Sequence, residues 1–341
     1  MVKRLFLKHH WLPYSLGTLV LHVLGFSWLF LAAKSYPVIL GIGLIAYTLG
    51  LRHAFDADHI AAIDNTVRKL TQQNKNASGV GFYFSLGHST VVFLMAVILG
   101  LFVRWAQNHM PLFEHVGGII GSLVSGSFLI IIAFFNLLIL MDFQKFFIKL
   151  KHNEFDPQRL EELMLSRGLL SNFFKPLFKF INCSWQVYPL GFLFGLGFDT
   201  ASEVALLALS ADSAKTAIPF LGMLSLPLLF AAGMNIMDTT DSMMMSGAYK
   251  WAFDTPVRKI YYNMTITSIS VVAALLIGSV ELIQVVTSEL AIKGAFWHWI
   301  QHINFNWLGY GLIIIFLGLW TTSYLIWKFF RIEERWNGAG I

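Results

Sequence analysis

Four apolar segments of this chain carry nearly all of its buried-donor chemistry. The first contains Arg52-His53-Ala54-Phe55-Asp56-Ala57-Asp58-His59, and the second contains Gly87-His88-Ser89-Thr90. The third contains Gly197-Phe198-Asp199-Thr200-Ala201-Ser202-Glu203, and the fourth Gly233-Met234-Asn235-Ile236-Met237-Asp238-Thr239-Thr240-Asp241. An ionisable group within a lipid-embedded helix is expensive, and by default it marks a site or a pathway. Arg52 can compensate one carboxylate, or two if bidentate. A bound dication, with some carboxylates protonated, accounts for the remaining charge. Imidazole with carboxylate and no thiolate suits Ni²⁺, Co²⁺, Mn²⁺ or Zn²⁺. The candidate metal-handling residues are therefore His53, Asp56, Asp58, His59, His88, Asp199, Glu203, Asn235, Asp238 and Asp241, with Arg52 as charge compensator. For Asp199, Glu203, Asp238 and Asp241, hydrogen bonding between helices competes with ligation.

At 100° per residue, a regular helix places Arg52, His53, Asp56 and His59 on one arc while Asp58 points away. Asp58 then faces another helix, where it can fix a ligand from behind, or the helix is locally unwound. Both readings stay open at this point.

The elements that must hold these groups are membrane helices. Hydrophobic residues make up 56% of the 341 and charged residues 13%, against about a quarter charged in soluble domains. Eight apolar stretches are long enough to cross a hydrocarbon core, near 16–33, 37–64, 79–103, 117–141, 187–210, 217–245, 262–287 and 308–330. The expected fold class is an all-α polytopic membrane protein with one transmembrane domain over 1–341 and a cytoplasmic connector at 142–186. Within that connector, Asp156 to Met164 reads as a short amphipathic helix. The two termini and the second, fourth and sixth loops hold 19 Lys and Arg; the other loops hold four. That asymmetry puts both termini in the cytoplasm, and the localisation is a cytoplasmic (inner) membrane. The first stretch follows three basic residues but lacks a small-x-small cleavage site, so it reads as a retained helix.

Several classes are excluded or weakened. The net charge of +5 is spread over span ends rather than gathered in a nucleic-acid patch. No Gly-Lys pair occurs, so the chain has no P-loop for ATP, and no ATPase partner is evident. One cysteine, Cys183, permits neither a disulfide nor a thiolate cluster. An intramembrane metalloenzyme, the alternative function, would want His-Glu-x-x-His, yet none of the eleven histidines precedes a glutamate. Met234, Met237 and Met243 to Met245 suit Cu⁺, but the carboxylates beside them do not; methionine also fills cores. His22 reads as a satisfied packing residue. His298-x3-His302, His109 and His115 fall in outward loops, where solvated residues beside interfacial tryptophans compete with metal capture.

His53-x4-Asp58-His59 within Arg-His-Ala-Phe-Asp-Ala-Asp-His-Ile resembles the second-helix signature of the nickel/cobalt transporter (NiCoT) family. Phe84-x2-Gly87-His88-Ser89, Leu196 to Glu203, and Gly233-Met234-x3-Asp238-Thr239-x-Asp241 resemble its third-, fifth- and sixth-helix motifs. The resemblance implies uptake of Ni²⁺ and/or Co²⁺ as the carried substrate, no resident cofactor, and no enzymatic activity. It makes His53, Asp58, His59 and His88 central. Phe55-Asp56 also parallels Phe198-Asp199, and Gly87-His88-Ser89 parallels Gly233-Met234-Asn235. An inverted repeat of helices two to four and five to seven would explain this. Chance recurrence of small and acidic residues in closely packed helices competes with it.

Overall fold

A computed structural model describes residues 10–101, 103–151, 181–197, 206, 220–253, 256–303 and 305–329. Every regular element among them is helical. Helix α1 (Leu12–Ala33) starts with a proline in its first turn, where a missing N–H costs nothing. Only Thr18, Gly25 and Leu29 of α1 are buried. Leu16, Leu19, Val20, Val23, Phe30 and Leu31 are exposed, an apolar face that suits lipid rather than water.

The second expected span, 37–64, is not one helix. It divides into α2 (Ile39–His53) and α3 (Ala57–Gln72). Between them Ala54, Phe55 and Asp56 form turns, and Asp56 has an extended backbone (φ −67°, ψ 140°) that starts α3 afresh. An aspartate in this conformation is a favoured helix start. The break answers the question of Asp58, since the single-helix arc does not extend past His53. α3 then continues to Gln72 and stops where Asn74 takes a left-handed φ of 55°. Arg68 and Lys69, expected in a cytoplasmic loop, therefore belong to a helix, and Arg68 is buried.

The remaining helices are α4 (Val80–Leu101), α5 (Val103–Lys151), α6 (Tyr188–Phe194), α7 (Phe220–Met223), α8 (Ser225–Phe253), α9 (Pro256–Glu289), α10 (Ala295–Gln301) and α11 (Phe305–Phe329). The 49-residue α5 takes in the expected third loop and the first residues of the 142–186 connector. The amphipathic segment 156–164 and half of the fifth expected span, with Asp199 and Glu203, lie outside the described residues. Among the described residues, four helical stretches are long and apolar enough to cross a membrane: Leu12–Ala33, Val80–Ile98, His115–Leu138 and Thr267–Glu289. Ile39–His53 and Trp307–Gly318 are shorter apolar helices.

α8 packs against α1, α2, α3 and α4, while α9 lies along α5 and α11 against α3. Among the close glycine crossings of the bundle, three are reciprocal, each helix setting a glycine against a carbonyl of the other. A Cβ added to Gly50 would strike the Phe230 carbonyl, and one added to Gly233 would strike that of Tyr47. In the same way Gly87 faces the Tyr188 carbonyl, and Gly191 faces that of Phe84. At the third crossing, a Cβ added to Gly126 would lie 3.0 Å from the Gly278 carbonyl, and one added to Gly278 would lie 2.8 Å from that of Gly126. Glycine lets membrane helices meet backbone to backbone, where lipid supplies no hydrophobic drive.

α3 is buried almost all round, and its lower half carries a polar knot. Asp64 accepts hydrogen bonds from Tyr249 and from Ser270 Oγ (2.8 Å). Arg68, one turn on, donates Nη2 to Asn65 Oδ1 (2.5 Å), which also accepts from Asn136 (2.7 Å). Asp64 precedes Arg68 by four residues, the favourable acid-before-base order on a helix, and both charges are buried close together without a direct ion pair. Arg68→Gln is therefore expected to lower the thermal unfolding temperature and cellular level of the protein, with Asp64→Asn added in the double variant restoring part of the loss. A single variant as stable as the parent would remove this role from Arg68.

Candidate metal centre

The break between α2 and α3 turns side chains from two helix ends toward α4. His53, the last residue of α2, places Nε2 2.9 Å from His88 Nε2 on α4. His59, in the first turns of α3, brings its ring to 4.6 Å from that of His53 and 4.8 Å from that of His88, centroid to centroid. One donor nitrogen from each of the three lies within 4.8 Å of the others, and all three residues are buried. Two nitrogens bound to one first-row metal at about 2.1 Å stand roughly 3.0–3.4 Å apart. The His53–His88 pair stands close to that spacing, and the His59 nitrogen lies within 4.8 Å of both.

The surroundings orient these rings. Asp56 Oδ2 lies 2.9 Å from His53 Nδ1. A carboxylate there favours the proton on Nδ1 and leaves Nε2 as the ligand atom. His59 Nδ1 lies 3.5 Å from Asp238 Oδ2 on α8. Neither ring nitrogen of His59 makes a hydrogen bond, nor does Asp238 Oδ2, and these atoms have no solvent access. Buried polar atoms are normally satisfied, and a cation held between an imidazole and a carboxylate satisfies both. Phe84 and Phe230 wall the cluster, with ring centroids 4.8 Å from His59 and 5.6 Å from His53. A dry, apolar wall strengthens every charge interaction inside it.

The other expected residues divide clearly. Asp56 and Asp238 join the cluster, and Asp58 sits half-buried in the first turn of α3. Asn235 is instead spent on holding helices together. Its amide donates to Ser85 Oγ (2.5 Å) and the Phe82 carbonyl (3.1 Å), and its oxygen accepts from Thr18 (2.6 Å). Asp241 lies one turn beyond Asp238, and its Oδ2 makes no hydrogen bond. Asp199 and Glu203 fall outside the described residues. Arg52 presents an exposed side chain; among the described residues the deeply buried guanidinium belongs to Arg68. Met234 lies in an apolar cluster with Leu229 and Phe230. His22 is satisfied by the Thr18 carbonyl (2.8 Å) and the Tyr47 hydroxyl (3.2 Å).

Sequence reasoning missed Asp64, Arg68, Tyr249 and Ser270. A signal was present: Ile60 to Gln72 contains no glycine or proline, so nothing local required the helix to end at residue 64.

Comparison with known proteins agrees with this geometry. The NicO family, described as high-affinity nickel-transport protein, matches residues 39–326. The chain is 58% identical to the nickel transporter NixA of Staphylococcus aureus, over 96% of this chain and 97% of the relative. It is 52% identical to the high-affinity nickel-transport protein NixA of Helicobacter pylori, over 95% and 99%. It is also 36% identical to the cobalt transport protein NhlF of Rhodococcus rhodochrous, over 90% and 89%. No solved structure matches the chain.

Proposed function

The chain belongs to the NicO family of high-affinity nickel-transport proteins, and from that membership we propose that it carries Ni²⁺ and/or Co²⁺ inward across the cytoplasmic membrane. The observation that carries the reading is the convergence of His53, His59 and His88, each buried, at the junction of two helix ends. The metalloenzyme alternative has no support from the relatives, which are named as transporters. In this reading a hydrated ion enters from outside and exchanges water for His53, His59 and His88. Asp56 orients His53, and Asp238 supplies negative charge beside His59. Asp58 and Asp241 flank the path, with Asp199 and Glu203 as further candidates on the fifth span. The ion leaves on the cytoplasmic side along α3 and α8. A negative-inside potential contributes about 4.6 kcal/mol per 100 mV to a dication, so no ATPase partner is required.

We further propose eight crossings in one domain, with both termini cytoplasmic and the second span formed by α2 and α3 together. An inverted repeat of spans two to four and five to seven fits the glycine crossings. Tyr47-Thr48-Leu49-Gly50 matches Tyr188-Pro189-Leu190-Gly191, and Phe84-Ser85-Leu86-Gly87 matches Phe230-Ala231-Ala232-Gly233. A two-fold axis in the membrane plane would exchange the α2–α8 crossing with the α6–α4 crossing and return the α5–α9 crossing to itself. That is the pattern of reciprocal contacts. Such repeats place the substrate near the midplane and use broken helices to hold it.

Uptake into sealed proteoliposomes, with and without an imposed potential, tests the transport reading; metal accumulation that requires the protein and rises with inside-negative potential is the expected result. Equilibrium binding tests the ligands. Imidazole binds metal only when neutral, so affinity is expected to fall once pH is low enough to protonate the buried rings. Binding that His53→Ala, His59→Ala and His88→Ala all leave at the parent affinity would remove histidine ligation.

A further inference from the structure

The eighth apolar stretch contains no histidine, aspartate or glutamate, yet its helix is seated on the break that brings the triad together. Phe305, Gly309, Leu312 and Phe316 recur at helical spacing along α11. Leu312 and Phe316 are buried in one cluster with Ala57, Ile60 and Ile63 of α3, and Phe305 packs against it. The stripe therefore faces α3, whose first turns carry His59. Gly309 is the buried member that meets the break itself. A Cβ built on Gly309 would strike the Phe55 carbonyl and lie 3.2 Å from the Ala57 nitrogen. Only a Cα hydrogen fits there, and Cα–H···O contacts of this kind recur where helices touch. The next residue, Tyr310, sets its ring 5.2 Å from that of Phe55, centroid to centroid.

The contact falls on the peptide that decides how α2 and α3 meet. Phe55 N–H donates to the Arg52 carbonyl (3.0 Å) and Asp56 N–H to that of His53 (2.9 Å), so both still hang from the end of α2. Asp56 then turns extended (ψ 140°), and its carbonyl accepts from Ile60 N–H (3.2 Å) to begin α3. The direction of α3, and with it the place of His59, is set at the peptide joining Phe55 to Asp56. Asp56 ties that peptide to the site through its carboxylate, 2.9 Å from His53 Nδ1. Gly309 holds its carbonyl. Ala54-Phe55-Asp56 contains no proline to fix the backbone, so the constraint comes from α11.

We propose that Gly309 and Tyr310 are positioning residues for the metal site. In this assignment α11 seats the break, fixes the distance from His53 to His59, and so sets which dication the triad prefers. Both residues act through Phe55 rather than on the ion. Geometry and ligand type, more than raw affinity, separate neighbouring first-row ions, and groups that orient a ligand are worth about 10–100-fold in metal affinity. The role rests on the reading of the triad as the metal site; it requires no particular direction of transport.

Equilibrium binding of Ni²⁺ and of Co²⁺ to purified full-length protein tests this role, with affinity and the number of sites fitted separately. Gly309→Ala is expected to weaken Ni²⁺ binding by about tenfold or more and to change the ratio of Ni²⁺ to Co²⁺ affinity. Tyr310→Ala, which leaves the backbone contact in place, is expected to shift that ratio by less. Gly311→Ala, where a methyl meets nothing within 4 Å, is expected to match the parent in both. A helix that only supports the fold would lower the number of sites and leave both affinities unchanged. That outcome in Gly309→Ala would overturn the proposal. Should Gly309→Ala yield no folded protein, parent affinities in Tyr310→Ala overturn it alone. If His53→Ala, His59→Ala and His88→Ala bind both ions as the parent does, the metal-site reading fails; if only the α11 variants do, the seat alone fails.

Discussion

Alanine at His53, His59 or His88 is expected to abolish metal uptake while the protein still inserts in the membrane. The effect is large because the three rings act as one ligand set. Loss of a group that merely orients a ligand costs about 10–100-fold in metal affinity, and loss of a ligand itself costs more. Each ring also sits where its removal leaves neighbours wrong. Without His88, His53 Nε2 loses its contact at 2.9 Å; without His59, Asp238 faces an apolar wall with no imidazole beside it. Asp58→Ala is expected to join this group, and Asp56→Asn to retain part of the activity because its amide can still lie against His53. The measurements are uptake and equilibrium binding at matched protein level. Ordinary uptake by inserted variants at all three histidines would remove the site. Loss of uptake with full binding would move the triad from ligand to transfer step.

The triad was legible in the sequence because its chemistry is costly. Three histidines with carboxylates in two neighbouring apolar segments have few explanations other than a cation. What the sequence left open was how they converge. His53 and His59 lie six residues apart, and periodicity alone set them on one helical arc. The structure joins them across a break, so that the C-terminal end of α2 and the first turns of α3 supply one histidine each. A break of this kind leaves no strong local mark: Ala54-Phe55-Asp56 has no glycine or proline, and tertiary contact selects it. Gly309 of α11 rests directly against the Phe55 carbonyl, an approach no periodicity reveals. Arg68 shows the opposite error. Counting it with loop charges assumed that a basic residue ends a span, whereas α3 runs on past Arg68 and its Nη2 donates to Asn65 inside the bundle. Asn235 shows a third limit, since a polar residue beside the site reads alike from sequence whether it binds metal or, as here, ties three helices together.

Gly50→Ala, Gly87→Ala, Gly191→Ala and Gly233→Ala are each expected to cut transport by roughly a hundredfold, the scale of loss for a displacement of about 1 Å at a reacting site. At every one of these positions the added methyl meets a carbonyl of the facing helix, and backbone cannot swing aside as a side chain can. The helices must part, at a cost of about 1–3 kcal/mol for overpacking. Two of the glycines stand within three residues of a ligand, Gly50 before His53 and Gly87 before His88. Gly191 and Gly233 lie on the opposite members of the same crossings, and the carbonyls they face belong to Phe84 and Tyr47. All four therefore alter the spacing of the triad, although only one half of the molecule supplies its histidines. Gly118, Gly247, Gly311 and Gly318 provide the contrast, because a methyl there meets nothing within 4 Å. Alanine is the better helix former by about 0.5–1 kcal/mol, so Gly311→Ala and Gly318→Ala are expected to leave transport intact and to raise thermal stability slightly. The sign of the stability change thus separates crossing glycines from open ones. Thermal unfolding and uptake on the same preparations measure it. If Gly191→Ala behaves like Gly311→Ala while Gly50→Ala fails, the two crossings are not equivalent, and the inverted repeat loses its support while the histidine site keeps its own.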